Sequence, residues 1–167
     1  MAEHTELKTA LKHQYHASLA MLKQAVVLCP DEVWVAGEAP RFFWRIVYHT
    51  LFYTNWYMQA SSADAQHWEH DRDGAANLHE ATDFGDAYTK EQLLQLLDSV
   101  DAGVDGLVDV MDLSAPTSGF SWYKMPKLEH QLANLRHIQQ HVGQLAEILL
   151  ANGIDTNWFG RQPATSE

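Results

Sequence analysis

Apolar residues recur every three or four positions in four stretches of the chain, which is the spacing of an amphipathic α-helix. Pro30 stops the first pattern, and Gly153 follows the last one. Thr89 and Gln92 form a capping-box signature at the start of the third stretch. The sequence therefore predicts four helices, at about residues 5–28, 41–60, 89–112 and 126–152.

The segments between these helices favour a four-helix bundle. No alternating strand pattern and no internal repeat occurs, so the predicted fold class is all-α. Residues 61–88 form an unusually long connection for a compact domain, and such a connection allows a crossover that makes neighbouring helices parallel. We expect one domain over residues 1–167, with the tail that contains Trp158 and Phe159 docked on the bundle.

Composition narrows the classes of partner. The 22 acidic and 11 basic residues leave a formal net charge of -11, which opposes nucleic-acid binding because phosphate backbones need clustered Lys and Arg. Cys29 is the only cysteine, so no intramolecular disulfide can form, and the first residues lack the apolar core of a signal peptide. No apolar stretch reaches the roughly 20 residues of a membrane span. We expect a soluble, cytoplasmic protein that binds neither nucleic acid nor membranes.

Two histidines one helical turn apart mark a candidate metal site. His137 and His141 lie roughly 40° apart on the apolar arc of the last predicted helix. His49 lies on the apolar side of the second helix, within an aromatic segment typical of a buried helix. A buried polar group without a partner costs roughly 1–3 kcal/mol, which a hydrogen bond or a metal can offset. The pattern indicates that these three imidazoles bind one metal ion and leave open positions on it.

Each histidine also has a purely structural interpretation. A single histidine on an apolar face is more often a hydrogen-bonded core residue than a ligand, and an i, i+4 pair also occurs on ordinary helices of a chain with 10 histidines. His130 lies on the same side of the last predicted helix as His137 and His141 and is an alternative ligand, although we favour a supporting or surface role for it. The remaining histidines are expected at the surface of the first helix or in the long loop: His4, His13, His16, His67, His70 and His79.

The third predicted helix carries an acidic face opposite its apolar face, and we expect that acidic face to be solvated. Its members are Asp98, Asp101, Asp105, Asp109 and Asp112. Cys29 is expected to be a small apolar filler rather than a nucleophile. The sequence contains no Ser-His-Asp grouping, no phosphate-binding glycine loop and no CxxC motif.

The order and spacing of the three histidines resemble the DinB superfamily, also called the DinB/YfiT-like metalloenzymes. The matching segments are WRIVYHTLFYTNWY around His49 and HIQQHVGQL from His137 onward, and the resemblance spans about residues 5–152. It implies an up-down-down-up four-helix bundle that often forms a homodimer. It also implies that His49, His137 and His141 hold a divalent metal, most commonly zinc or nickel, with iron and manganese as further candidates.

The resemblance further implies chemistry on a small molecule. Related enzymes are isomerases and S-transferases that use low-molecular-weight thiols such as mycothiol or bacillithiol. A metal held by three imidazoles lowers the pKa of a bound thiol or water, so thiol transfer and metal-assisted hydrolysis are both candidates. The sequence identifies no general acid or base and no thiol-recognition motif. The cations near the helices, Arg41, Arg45 and Arg136, are expected to face mostly solvent.

Aromatic residues are expected to shape an apolar pocket at the open face of the site, although core packing is the commoner role for each of them. They are Tyr53, Trp56, Phe120, Trp122 and Tyr123. The alternative function is a non-catalytic, stress-related binding or scaffold bundle in which the metal is structural or absent. A fourth protein ligand favours this alternative, whereas open coordination positions favour catalysis.

Overall fold

The computed structural model describes residues 2–79 and 85–162, and all regular secondary structure in those two ranges is helical. The prediction of an all-α fold class is thereby confirmed. The elements are α1 (Ala2–Leu28), α2 (Asp31–Trp34), α3 (Phe43–Met58), a 3₁₀ turn (Ser62–Asp64), α4 (Lys90–Val110) and α5 (Lys127–Ala151). The four long helices match the predicted ones to within a few residues, whereas the short α2 lies in a segment read as a connection. No helix in the described part of the chain is both long and apolar enough to span a membrane.

The start of α4 follows directly from its sequence. The Thr89 side chain accepts a hydrogen bond from the Gln92 amide at 3.2 Å, and the Gln92 side chain accepts one from the Thr89 amide at 2.9 Å. This reciprocal pair satisfies two amide groups that have no partner within the helix. The predicted capping box is therefore confirmed.

The helix α1 packs against α4 and α5, and α3 packs against the same two helices. Ion pairs give the relative direction of α1 and α4, because Lys12 pairs with Asp109 at 2.8 Å while Lys23 pairs with Asp98 at 2.7 Å. Residue numbers therefore run in opposite directions along this contact, so α1 and α4 are antiparallel.

Side-chain hydrogen bonds show that α1 and α5 run in the same direction. The Tyr15 hydroxyl lies 2.7 Å from Oε1 of Gln131, and further along both helices Nε2 of Gln139 donates to the Ser18 hydroxyl at 2.9 Å. The long connection between α3 and α4 allows such a parallel pair, as expected from a crossover.

A buried polar network joins α5 to both α1 and α3. Nδ2 of Asn134 donates to the Tyr15 hydroxyl at 3.0 Å and to the Thr54 carbonyl at 3.1 Å, while Nε2 of Gln131 donates to the Tyr57 carbonyl at 2.9 Å. Residue numbers run in opposite directions along these contacts, so α3 and α5 are antiparallel. These bonds also fix the register of α5, because a shift along the helix would leave these buried groups without partners.

The acidic face of α4 is not merely solvated, and the prediction for His16 is wrong. His16 is only 5% exposed, with Nδ1 2.7 Å from Oδ1 of Asp101 and Nε2 3.2 Å from Oδ1 of Asp105. Helical spacing within α4 could not predict this, because α1 packs along the acidic face. Lys12, His16 and Lys23 of α1 contact its carboxylates. His13 is half-buried, and the side chain of His4 lies outside the described part of the chain.

The connection between α4 and α5 crosses the end of α3 at very close range. A Cβ atom on Gly119, which has a φ of +87°, would overlap the Ala60 carbonyl oxygen, so only glycine fits there. Lys127 is buried, and its Nζ donates to the carbonyls of Gln59 at 3.0 Å and Ala60 at 2.9 Å. This ammonium satisfies carbonyl groups at the end of α3 that have no partner within the helix.

The C-terminal tail lies along α1, as predicted. Nε2 of Gln14 donates to the Gly160 carbonyl at 3.1 Å, and the Asn157 amide donates to Oε1 of Gln24 at 2.6 Å. Trp158 remains 74% exposed, so hydrogen bonds rather than this aromatic ring hold the tail.

Candidate metal centre

Three imidazoles from two helices converge at one point. His49 comes from α3, and His137 and His141 come from consecutive turns of α5. One ring nitrogen of each lies within 4.8 Å of the other two, and the ring centroids are 4.6–5.1 Å apart. Because α3 and α5 are antiparallel neighbours, residues far apart in sequence meet here. The structure thus brings together the three histidines singled out from the sequence.

Neighbouring oxygen atoms orient two of the rings. Nδ1 of His49 lies 2.6 Å from the Ala76 carbonyl, and Nδ1 of His141 lies 2.8 Å from Oε1 of Gln144. These oxygens can only accept, so both Nδ1 atoms carry the hydrogen and both Nε2 atoms carry the lone pair. Hydrogen bonds of this kind hold metal-binding imidazoles in the required tautomer.

The spacing of the nitrogens suits a divalent metal. Nε2 of His49 lies 3.0 Å from Nε2 of His137. Two nitrogens bound tetrahedrally to zinc, at about 2.0–2.1 Å each, lie about 3.3 Å apart. The other nitrogen of His137, Nδ1, is buried and has no partner in the described part of the chain. The two Nε2 atoms are thus within hydrogen-bond reach of each other and are also close to the spacing of two zinc ligands.

Burial keeps these rings neutral at pH 7. It lowers the pKa of His49 to about 3, against the opposing effect of the Ala76 carbonyl. Burial, together with the nearby His141, lowers the pKa of His137 to about 4. The pKa of His141 is lowered as well, first by burial and then by the charge of Arg41, while Gln144 opposes the shift. Neutral imidazoles have the free lone pair that a metal requires.

The three rings lie at one side of a pocket of about 330 Å³. Within the described ranges no fourth His, Cys, Asp or Glu joins the cluster. Structural zinc sites are closed by four protein ligands, whereas catalytic sites have three and keep an open position. Among the described residues the cluster has three such donors and adjoins the pocket. The other lining residues are Arg41, Tyr53, Tyr57, Leu78, His79, Tyr123, Gln140 and Gln144.

The prediction for the aromatic wall is partly wrong. Of the five residues expected to shape the pocket, only Tyr53 and Tyr123 line it. The other three pack on one another beside it, with ring centroids 5.5–6.0 Å apart: Trp56, Phe120 and Trp122. Tyr57, which was not predicted, lines the pocket instead.

His130 is neither a surface residue nor part of the cluster. It is 0% exposed, and its ring packs against Tyr57, Phe120 and Tyr123 with centroids 4.9–5.1 Å apart. Neither ring nitrogen has a hydrogen-bond partner in the ranges the structure describes. Burial, with the charge of Lys127, lowers the pKa of His130 to about 4. This residue is therefore a neutral imidazole inside an aromatic cage.

Arg45 is also placed differently from the prediction, because it is buried rather than solvent-facing. Its Nε donates to the Ala75 carbonyl at 3.1 Å and its Nη2 to the Asn77 carbonyl at 2.6 Å. The long connection folds back on α3 and supplies these acceptors. The carbonyl of Ala76 lies between them in sequence and orients His49. Arg45 thus fixes the piece of loop that holds one imidazole of the cluster.

Sequence reasoning missed several residues of this site. Gln144 follows His141 by three positions, which is a helical neighbour distance, so its role could have been anticipated. Ala76 acts through its backbone and has no sequence signal. His79 was expected in a solvated loop; it is exposed but lines the pocket. His67 is exposed, as predicted, and residues 80–84 of the same connection lie outside the described ranges.

Comparison with known proteins adds nothing to this geometry. The chain matches no family model, no curated protein and no solved structure. The interpretation of the site consequently depends on the residues themselves. The strongest of these observations are the convergence of His49, His137 and His141 and the two hydrogen bonds that orient their rings.

Replacement of Gln144 by leucine is expected to weaken metal binding about 10- to 100-fold without unfolding the protein. The change removes the oxygen that holds Nδ1 of His141, and loss of such orienting partners has costs of this size. Gln140→Leu is the matched control, because Gln140 lies on the same helix and lines the same pocket but forms no hydrogen bond to the cluster in the described structure. Competition against a metal-binding dye measures both affinities. Equal affinities for the two variants would contradict the assigned role of Gln144.

Proposed function

We propose that this chain is a divalent-metal-dependent enzyme that acts on a small molecule. The reaction is thiol transfer or isomerisation with a low-molecular-weight thiol, or metal-assisted hydrolysis. One observation carries the proposal: three neutral imidazoles present their nitrogens beside a pocket, with no fourth ligand-type side chain in the cluster among the described residues. An open position of this kind is the feature that separates catalytic from structural zinc sites.

In this proposal His49, His137 and His141 hold the metal, with zinc or nickel as the first candidates and iron or manganese after them. A divalent metal there supplies Lewis acidity, which lowers the pKa of a thiol or a water molecule. The Ala76 carbonyl and Gln144 keep the imidazole lone pairs directed at one point. Both hydrogen bonds are made by the protein itself, so the rings of His49 and His141 are oriented by groups other than the metal.

Tyr53 and Tyr57 act as hydrogen-bond donors in the pocket and not as bases. Burial raises the pKa of Tyr53 and of Tyr57, and the neighbouring Tyr123 raises both further. Their hydroxyl groups therefore keep their protons at neutral pH. Such donors can orient an oxygen or sulfur atom of a bound molecule.

We also propose that the four long helices form an up-down-down-up four-helix bundle and that the chain belongs to the DinB superfamily. The support for the topology is the direction of the pairs, since α1 is antiparallel to α4 and parallel to α5, and α3 is antiparallel to α5. The support for the family is His49 together with the segment HIQQHVGQL from His137 onward.

Cobalt substitution tests the proposed function. The protein is loaded with Co²⁺ and titrated with 2-mercaptoethanol, while the absorption spectrum is recorded. We expect a sulfur-to-cobalt charge-transfer band, because a thiolate can occupy an open position on the metal. We also expect the visible spectrum to change with pH and with added azide, because water or an anion can occupy the same position. His49→Ala should lose the cobalt spectrum, and His67→Ala, at an exposed loop position, should retain it.

The result that overturns the proposal is a cobalt spectrum that responds neither to thiol, nor to azide, nor to pH. Such a site has no exchangeable position, so the metal would be structural and the bundle would be a scaffold. Failure of the wild-type protein to bind cobalt, zinc or nickel at all would overturn it equally.

A further inference from the structure

One cation stands at the pocket that contains the three imidazoles. Arg41 lies two residues before the start of α3 and lines this pocket together with His49 and His141. Its side chain is exposed, as the sequence suggested, but it faces the site and not only open solvent. Its charge contributes to the lowered pKa of His141, after burial, so the guanidinium and that ring are close enough to interact.

Among the described residues that line this pocket, the permanently charged one is a cation, whereas the chain as a whole is acidic. The protein contains 22 acidic residues, yet none of the described residues that line the pocket is Asp or Glu. The guanidinium of Arg41 forms no ion pair and no side-chain hydrogen bond within the described ranges. A chain with a net charge of -11 repels anions over most of its surface. A local positive charge beside the metal site therefore favours the binding of anions there.

The lining supplies neutral donors next to this cation. Gln140 and the hydroxyl-bearing rings of Tyr53 and Tyr123 border the same space, which at about 330 Å³ is at the small end of ligand pockets. Such a volume suits a small organic molecule. A guanidinium presents parallel N–H groups whose geometry matches the two oxygens of a carboxylate.

We infer that the pocket takes a small organic acid, whose carboxylate binds Arg41 while its reacting group faces His49, His137 and His141. This inference rests on the proposed metal-dependent function and adds the chemical class of the substrate. It assigns Arg41 as the residue that binds and orients the acid. Arg41 then selects the charge of the ligand, and the three histidines hold the metal that acts on it.

Matched thiols test the inference on the cobalt-loaded protein. The ligands are 3-mercaptopropionate, its neutral analogue 3-mercaptopropanamide, and 2-mercaptoethanesulfonate, which has the same charge on a tetrahedral group. Dissociation constants come from the charge-transfer band. We expect the carboxylate to bind about 10- to 100-fold more tightly than the amide, in line with a hydrogen-bonded charge pair. We also expect it to bind more tightly than the sulfonate.

Two variants localise the effect. In Arg41→Met the carboxylate preference should fall to within about twofold, while the affinity for the amide stays unchanged. Arg136→Met is the control, because it removes one positive charge at an exposed position on α5 that does not line the pocket. It should keep the preference of the wild-type protein, which separates a local contact from a change in net charge.

A second titration removes the dependence on thiol chemistry. Malonate carries carboxylates but no thiol, and calorimetry should show binding that is at least about 10-fold weaker in Arg41→Met than in wild type or Arg136→Met. Equal binding of acid and amide by the wild type, with the band present, would overturn the inference and leave the proposed function standing. A preference for the sulfonate would also overturn it. Loss of the band with every thiol, with malonate still bound through Arg41, would instead count against thiol chemistry alone.

Discussion

Substitution of His137 and His141 by alanine is expected to reduce bound divalent metal from about one ion per chain to almost none. Both residues present a neutral nitrogen to the point that His49 reaches from α3, and one remaining imidazole cannot hold the ion in competition with water. Elemental analysis of purified, tag-free protein after incubation with zinc or nickel measures the effect. The metal should also raise the melting temperature of the wild type and not that of the double variant.

The matched control is His67→Ala with His70→Ala. It removes the same number of imidazoles from the long loop, outside the cluster, where His67 pairs with Asp71 and His70 lies near Glu69. This variant should bind metal as the wild type does. Circular dichroism establishes that both double variants are helical before their metal contents are compared. Absence of metal from the wild type after incubation would contradict the assigned centre.

Acid is expected to destabilise the metal-free protein through His130, by up to about 3 kcal/mol between pH 7 and pH 4. The pKa of this ring is about 4 in the folded protein and about 6.5 in an unfolded chain, and each unit of difference corresponds to about 1.36 kcal/mol. Between pH 6.5 and pH 4 the imidazole is therefore protonated in the unfolded chain but neutral in the folded protein. The stabilising contribution is complete above pH 6.5 and is lost as the pH falls towards 4.

The variant His130→Leu isolates this effect. Leucine cannot be protonated, and it removes two buried nitrogens that have no described partner, so stability at pH 7 should change little. Urea denaturation in the presence of a chelator, at pH 7 and pH 4.5, gives the unfolding free energies. The variant should gain about 2–3 kcal/mol relative to the wild type on acidification. His67→Leu, at an exposed position, is the control for the added apolar side chain. Parallel pH profiles for the wild type and His130→Leu would show that the ring is already solvated.

Periodicity was sufficient to predict the helices and the meeting of the three histidines. Apolar spacing depends on local geometry alone, so the bounds of α1, α3, α4 and α5 were close to their predicted values. The same helical spacing predicts that His49, His137 and His141 lie on the apolar sides of their helices. Their convergence needed only that α3 and α5 be neighbours, which a compact helical fold favours.

The surroundings of the polar groups could not be predicted in this way. His16 and Arg45 were expected to face solvent and His130 to have a supporting or surface role, and each is buried by a segment outside its own helix. The helix α1 meets the acids of α4, the long connection returns to Arg45, and the α4–α5 connection lays aromatic rings over His130. Helical spacing indicates which face a residue occupies, but not what covers that face.

The hydrogen bond from His49 to the carbonyl of Ala76 has an evolutionary consequence. Every amino acid has a carbonyl group in its main chain, so position 76 can change its side chain and still hold the imidazole, within the limits of the space available. What must persist is the course of the loop, which the buried guanidinium of Arg45 maintains. In homologous proteins with this half of the site, we expect arginine to be conserved at position 45. The residue at position 76, whose carbonyl contacts the histidine, is expected to vary.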